Sequence, residues 1–284
     1  MRPVVVVLLH EESDTPAYMA VYLAQRGIDF VVFQFWKDDM VHMVPVSVDT
    51  PVRCIKVDNA PHRFMPVPAT CTEGEVCRVR GVASFGGSMS VNDDRPHYEP
   101  ILHLMRSCIH TRTPVIGHCL GAQLLSCSLG GTVQSSENIE VGWMDLEVEN
   151  NGTDGVKDWF GGRKTINVFQ IHTESFSIPQ GARRIVRGKY CTNQAYQVGD
   201  QYALGMQFHP EVDEEKVKGL VAPTFPSLHT CEEIAAMSKE KAARLSPAAM
   251  TRDAIANCLR EGRIEQNRPL ADSIYDVWCS GFLF

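Results

Sequence analysis

The sequence predicts an α/β fold built on an open, mostly parallel sheet with helices in the flanking layers. Three observations carry that expectation. Short apolar runs alternate with helix-period segments over the first 130 residues, the pattern of parallel strands joined by right-handed crossovers. Three strand-like runs end just before Gly86, Cys119 and His209. In open α/β sheets the crevice lies at the carboxyl ends of the strands, so these three ends are expected to converge on one cleft. Finally, 284 residues of which 44% are hydrophobic can bury a substantial core, in one large domain or two small ones.

The elements follow in order. Val4–Leu9 reads as a buried first strand. Preceded by Arg2, it faintly imitates a signal peptide. It is too short for one, however, and runs straight into His10-Glu11-Glu12-Ser13-Asp14 without a small-residue cleavage site. Thr15-Pro16 opens a helix to about Arg26, and Ile28–Phe35 is a second strand between Gly27 and Trp36-Lys37-Asp38. Residues 41–80 carry Pro45, Pro51, Pro61, Pro66 and Pro68, and read as an extended insertion near the cleft. The apolar Gly81-Val82-Ala83 then leads into the glycine turn Phe85-Gly86-Gly87-Ser88-Met89-Ser90.

A helix over Leu120–Leu129 follows the run Val115–Gly117 and stops at Gly130-Gly131, a C-terminal cap. Met144–Val148, Ile166–Ile171, Arg184–Val186 and Gln201–Phe208 are strand-like with turn signals between them, predicting an antiparallel insert before the last strand. Asn151-Gly152-Thr153 has glycosylation spacing but reads as a hairpin turn. In the tail, Ile234, Met237, Ala242 and Leu245 recur at helical spacing, Ser246-Pro247 offers a helix start, and Ile255, Leu259, Ile274, Val277 and Trp278 continue the pattern. The expected organisation is a catalytic domain over 1–231 with a helical extension, 232–284, packed on it. Trp278, Phe282 and Phe284 are expected in core or edge packing.

Chemistry concentrates in two stretches. Gly117 and Gly121 flank Cys119 at two residues on either side, the spacing of a nucleophile elbow with sulfur in place of oxygen. At a helix N-terminus, free N–H groups and the dipole favour a thiolate and can hold an oxyanion. Ninety residues on, His209 is followed by Pro210-Glu211, so a carboxylate stands two residues from a base. Either motif alone reads equally as a buried loop cysteine or a packing histidine. Together they supply nucleophile, base and orienting group.

Gly-His-Cys-Leu-Gly-Ala-Gln (117–123) and Phe-His-Pro-Glu (208–211) resemble the two signatures of the class I, triad-type glutamine amidotransferase family. The turn 85–90 resembles that family's oxyanion turn. The likeness extends from about Val4 to Trp278 and is nearest to stand-alone proteins similar to the GMP synthetase amidotransferase domain, a subgroup that includes γ-glutamyl peptidases. It implies a flavodoxin-like three-layer fold, with Cys119 as nucleophile, His209 as general base and acid, and Glu211 as the carboxylate that orients it. It further implies an oxyanion hole from the Gly87 and Leu120 N–H groups, and substrate contacts from Gln123, His172 and Glu174. The reaction implied is hydrolysis of the γ-amide of glutamine or a γ-glutamyl compound through a thioester. A γ-glutamyl peptidase or transferase is the alternative, and a silent binding protein on the same fold is disfavoured by the complete triad. Ammonia release would call for a separate synthetase subunit, since the chain has no G-x-x-x-x-G-K-[ST] phosphate loop.

The remaining expectations are exclusions. A net charge of −7 argues against a nucleic-acid partner. No apolar run approaches the roughly 18 residues that span a bilayer. Ten cysteines without a C-x-x-C pair are expected as reduced thiols, hence a cytoplasmic protein. His62, Cys71 and Cys77 match no strong zinc spacing, and neither metal nor cofactor is expected. Asn92-Asp93-Asp94-Arg95 is expected to shape the leaving-group side of the cleft.

Overall fold

The first apolar run forms β1 (Arg2–Leu9), in which six successive residues from Val4 are buried, as in a strand covered on both faces. The computed structural model describes residues 1–36, 45, 47–53, 75–149, 152, 154–222 and 228–282. Beside β1 lie β2 (Phe30–Gln34) and β4 (Val76–Ser84), followed by β5 (Val115–His118) and β10 (Ala203–Met206), all parallel in the order β2-β1-β4-β5-β10. The two-residue β3 (Val52–Arg53) pairs antiparallel with β4. Between β5 and β10 in sequence come β6 (Val133–Val148), β7 (Thr165–Phe176), β8 (Ala182–Arg187) and β9 (Ala195–Val198). These extend the sheet beyond β10 as antiparallel strands in the order β9-β8-β6-β7. The parallel strands alone thus have the doubly wound order 2-1-3-4-5, whose switch point, between β1 and β4, is where ligands bind.

Alternate residues of β1 feed two different cores. Val5, Val7 and Leu9 pack with α1 (Ala17–Gln25) and with α8 (Arg263–Ser280) through Met19, Tyr22, Ile274 and Trp278. Val4, Val6 and Leu8 pack with α2 (Tyr98–Thr111) and α3 (Leu120–Ser128) through Ile101, Leu104 and Leu124. Helix, sheet and helix form three layers, and the C-terminal helix supplies part of one. Trp278 and Phe282 are buried there, as expected, while Phe284 lies outside the described residues. The expected stop of α3 also stands, with Gly130 at φ +83° just beyond Leu129.

Several features differ from the sequence reading. Ser246-Pro247 starts no helix, because Val141 N–H donates to Ala248 O and Met250 N–H to Val141 O, tying the segment to β6. Helix α7 (Arg252–Arg260) begins later, where Thr251 Oγ1 accepts from Ala254 N–H. The last parallel strand ends at Met206, not at Phe208. Asp213 caps α4 (Glu214–Leu220), and short helices α5 (Cys231–Ala235) and α6 (Lys239–Ala242) precede the tie. Most of the proline-rich stretch 41–80, and Asn151 and Thr153 of the expected hairpin, lie outside the described residues. No helix among those described is long and apolar enough to cross a membrane.

Candidate active site

The turn after β5 is built by close approach. Cys119 stands at φ +48°, ψ −108°, a conformation that costs a non-glycine residue about 1–3 kcal/mol unless its surroundings impose it. They do. Cys119 N–H donates to Met206 O at 2.8 Å, and Cys119 O accepts from Ala122 and Gln123 N–H at 3.0 Å, which starts α3 at once. Gly121 N–H donates to Phe85 O at 2.9 Å, and a Cβ there would overlap Ser84 O and lie 2.6 Å from its carbonyl carbon. Gly121→Ala is therefore expected to cost about 2–3 kcal/mol by overpacking and to slow alkylation of Cys119. Gly130→Ala, at positive φ but with nothing within 4 Å, should cost only about 1 kcal/mol and leave Cys119 reactivity unchanged. Urea melts and peptide-resolved alkylation check both.

The second motif completes the arrangement. His209 N–H donates to Phe169 O at 2.9 Å, and Nδ1 donates to Glu211 Oε1 at 2.7 Å. Nε2 is then left buried without a hydrogen-bond partner, on the wall of the same cavity as Cys119. Burial opposes an imidazolium, but Glu211 and Cys119 outweigh it and push His209 up to about 10. Glu211 is fully buried, and burial opposes its charge as well. Lys216, His209 and His118 overcome that and hold it well below the usual carboxylate range. Lys216 Nζ reaches Glu211 Oε1 at 2.8 Å and Thr15 O at 2.7 Å, and pairs with Asp14. His118, on β5, is pushed down to about 4 by burial and stacks on Phe85 with centroids 4.6 Å apart.

The turn 85–90 arrives from β4 and is tethered on several sides. Glu11 accepts from both Ser88 N–H and Ser88 Oγ, Tyr98 Oη donates to Ser90 O, and Ser90 Oγ donates to Glu174 Oε1 at 2.9 Å. A Cβ on Gly87 would lie 3.0 Å from Leu120 Cδ2, so the two expected oxyanion residues adjoin. Gly87, Cys119, Gln123, His172, Glu174 and His209 all line one cavity of about 480 Å3. Asp93 turns instead onto the backbone of Ser90 and the side chain of Arg95.

On the far wall, Gln123 Nε2 and His172 Nδ1 share the carbonyl oxygen of Glu174, at 3.2 and 3.1 Å. The other ring nitrogen of His172 meets Glu140 Oε2 at 2.8 Å, so both are engaged within the protein. Glu140 also accepts from Gln194 Nε2 at 2.6 Å, and Gln194 Oε1 from Gln170 Nε2 at 2.7 Å. Gln207 Nε2 points to Cys119 Sγ at 3.5 Å. Sequence reasoning gave no site role to Asp14, Lys216, Glu140, Gln194 or Gln207.

Two buried groups bring three potential metal-ligating atoms within 4.8 Å: Asp14, His209 and Glu211, and Glu140, His172 and Cys191. In the first the Lys216 ammonium already pairs with both carboxylates, and in the second Gln194 and His172 both already bond Oε2 of Glu140. His62 and Cys71 lie outside the described residues, and Cys77 is buried in β4.

Comparison with known proteins gives a consistent picture. The family model described as "Glutamine amidotransferase class-I" matches residues 52–221. A GMP synthase (glutamine-hydrolyzing) of Lacticaseibacillus casei is 31% identical over 148 residues, 51% of this chain and 27% of that protein. A protein of Sulfurisphaera tokodaii, named as one of the subunits of a glutamine-hydrolyzing GMP synthase, is 35% identical over 105 residues, 37% of this chain and 54% of that protein. The chain thus matches only about a quarter to a half of the length of these curated relatives. The crystal structure of a glutamine amidotransferase from Methylobacillus flagellatus covers all of this chain and 96% of its own, with a TM-score of 0.72 and 29% identity. One from Thermotoga maritima covers 98% of this chain and 97% of its own, with a TM-score of 0.65 and 20% identity, a likeness of fold alone.

Proposed function

The chain belongs to the class I glutamine amidotransferase family, and on that premise we propose that it hydrolyses γ-glutamyl amides at Cys119. The observation that carries this reading is the ring of His209. Its Nδ1 is committed to Glu211 at 2.7 Å, and its Nε2 is buried and unpartnered on the wall that also holds Cys119.

The Cys119 thiolate attacks the γ-carbonyl carbon, and the oxyanion takes hydrogen bonds from the Gly87 and Leu120 N–H groups. The His209 imidazolium, stable to about pH 10, gives its proton to the leaving nitrogen as the C–N bond breaks. A γ-glutamyl thioester remains. Neutral His209 then takes a proton from water, hydroxide adds to the thioester carbon, and glutamate leaves as the thiolate and imidazolium are restored. Glu211 keeps Nε2 aimed at the cleft throughout. Gln123 and Glu174 face the glutamyl end of the substrate, with His172 bracing their wall.

The leaving group separates two versions of the reaction. Ammonia would go to a separate synthetase chain, a reading supported by the relative that is named as one of several subunits. A cavity of about 480 Å3 falls in the range that takes drug-sized ligands, which favours, as a second reading, γ-glutamyl compounds whose leaving amine is larger than ammonia. The test is product analysis on glutamine, glutathione and simple γ-glutamyl amides, beside Cys119→Ala. Glutamate formed from at least one of them and lost in the variant is expected. Glutamate release that persists in Cys119→Ala would overturn the proposal.

A further inference from the structure

The first turn of α4 carries a lysine where a surface helix would place its charge in water. Glu214 and Lys218 on the same helix are more than 60% exposed, but the Lys216 side chain is 1% exposed. A buried ammonium is tolerated only when paired. Its ammonium donates to Thr15 O and Glu211 and is ion-paired with Asp14. One oxygen, Glu211 Oε1, thus takes both Lys216 at 2.8 Å and His209 Nδ1 at 2.7 Å. Asp14 is part of the same contact. A Cβ on Gly86 would overlap its Oδ2 and lie 3.1 Å from His209 Cε1, so this second carboxylate flanks the imidazole at the base of the oxyanion turn.

We propose that Lys216 is a positioning residue for the base: clamped between Asp14 and Glu211, its ammonium fixes the Glu211 carboxylate against His209 and offsets the pull of both carboxylates on the imidazolium. The role rests on the catalytic reading above, in which His209 must give up its proton and take it back. With Asp14 and Glu211 ionised and Lys216 and His209 protonated, the four groups sum to zero charge. Without Lys216, one uncompensated negative charge is left beside the imidazolium in a site that water does not screen. The proton is then held more tightly, and its transfer to the leaving nitrogen slows. The other titratable groups around this cluster are Cys119 at the head of α3, His118 of β5 with Nε2 3.9 Å from Glu211 Oε2, and Tyr275 of α8, whose hydroxyl is 3.3 Å from that Nε2.

The test reads the His209 ring directly, by NMR of 15N-histidine-labelled protein with its signal assigned by loss in His209→Gln. In Lys216→Met the titration is expected to move up by about one unit or more. Removing both charges, in Asp14→Asn/Lys216→Met, should return it toward the parent value, and Lys216→Arg should largely preserve it. Where turnover is measured, Lys216→Met should lower kcat about tenfold near neutral pH with KM nearly unchanged. If Lys216→Met does not fold, Lys216→Gln, which keeps a donor without charge, must show the same upward shift. An unmoved His209 titration in a folded neutral variant would overturn the proposal, leaving Lys216 a structural residue. Because the titration needs no substrate, it decides this question even if no γ-glutamyl amide is hydrolysed, the outcome that would count against the hydrolase reading itself.

Discussion

Cys119→Ala is expected to reduce glutamate release by about 10⁵–10⁶-fold, the scale of nucleophile loss in triad enzymes, while the protein folds as the parent does. The size follows from the arrangement. Among the described residues, the sulfur is the only nucleophile on the cavity wall that stands at a helix N-terminus beside an unpartnered imidazole nitrogen, so its loss leaves only binding and the oxyanion donors. The stability side follows from the backbone. Alanine keeps a Cβ at φ +48° and so inherits the strain of cysteine, whereas glycine does not. Cys119→Gly should be equally inactive but more stable by about 1 kcal/mol, read as a rise of about 2–4 °C in melting temperature. Equal melting temperatures for the two variants would show that the elbow stores no strain.

Acid is expected to destabilise the fold well before carboxylates protonate. Burial, with His97 close by, pushes His10 down to about 3, and burial with Arg95 close by pushes His97 down to about 4. His118 lies at about 4 because burial outweighs Glu211. The unfolded chain takes up these protons near pH 6.5, and the native state does not until about 3–4. Between those limits the unfolded state binds more protons, so stability falls as the pH falls, by about 1.4 kcal/mol per unit for each histidine. His209 has the opposite sign and a different window. Its contribution is complete below about 6.5 and is lost as the pH rises through about 10. Urea unfolding at pH 7 and pH 5 should therefore differ by several kcal/mol, and His97→Phe, next to the stacked Phe35, should narrow the gap. Equal stability at the two pH values would contradict the burial of three neutral histidines.

What could be read in the chain, and what could not, divides along a physical line. Val4–Leu9, the Gly117–Gly121 elbow and His209-Pro210-Glu211 are local signals, since strand, turn and base–carboxylate pair are each set by residues within a few positions. Helix α2 carries the same kind of local signal, with Ile101, Leu104, Met105 and Cys108 on one face, but the sequence reading did not include it. Strand β9 carries no such signal, because Gln197 interrupts its apolar run. That glutamine is buried with its amide satisfied largely from afar: Trp159 Nε1 donates to it at 2.7 Å and its own Nε2 donates to Gly155 O, from a loop some forty residues earlier. The polar supports of the site share this property. Glu140 meets His172 and Gln194, and Lys216 meets Asp14 across two hundred residues of sequence. No period or spacing marks a side chain whose partner comes from another element, and such residues emerge only once the strand ends are brought together.

Passage of the glutamyl group through Cys119 underlies the proposed hydrolysis. It is tested most directly by acid-quenching the protein during turnover of an isotopically labelled γ-glutamyl amide and measuring the mass of the Cys119 peptide. One γ-glutamyl group is expected on that peptide, acid-stable, released by hydroxylamine, and absent in Cys119→Ala. Labelled glutamate formed without the label ever appearing on Cys119, and formed equally by Cys119→Ala, would contradict it.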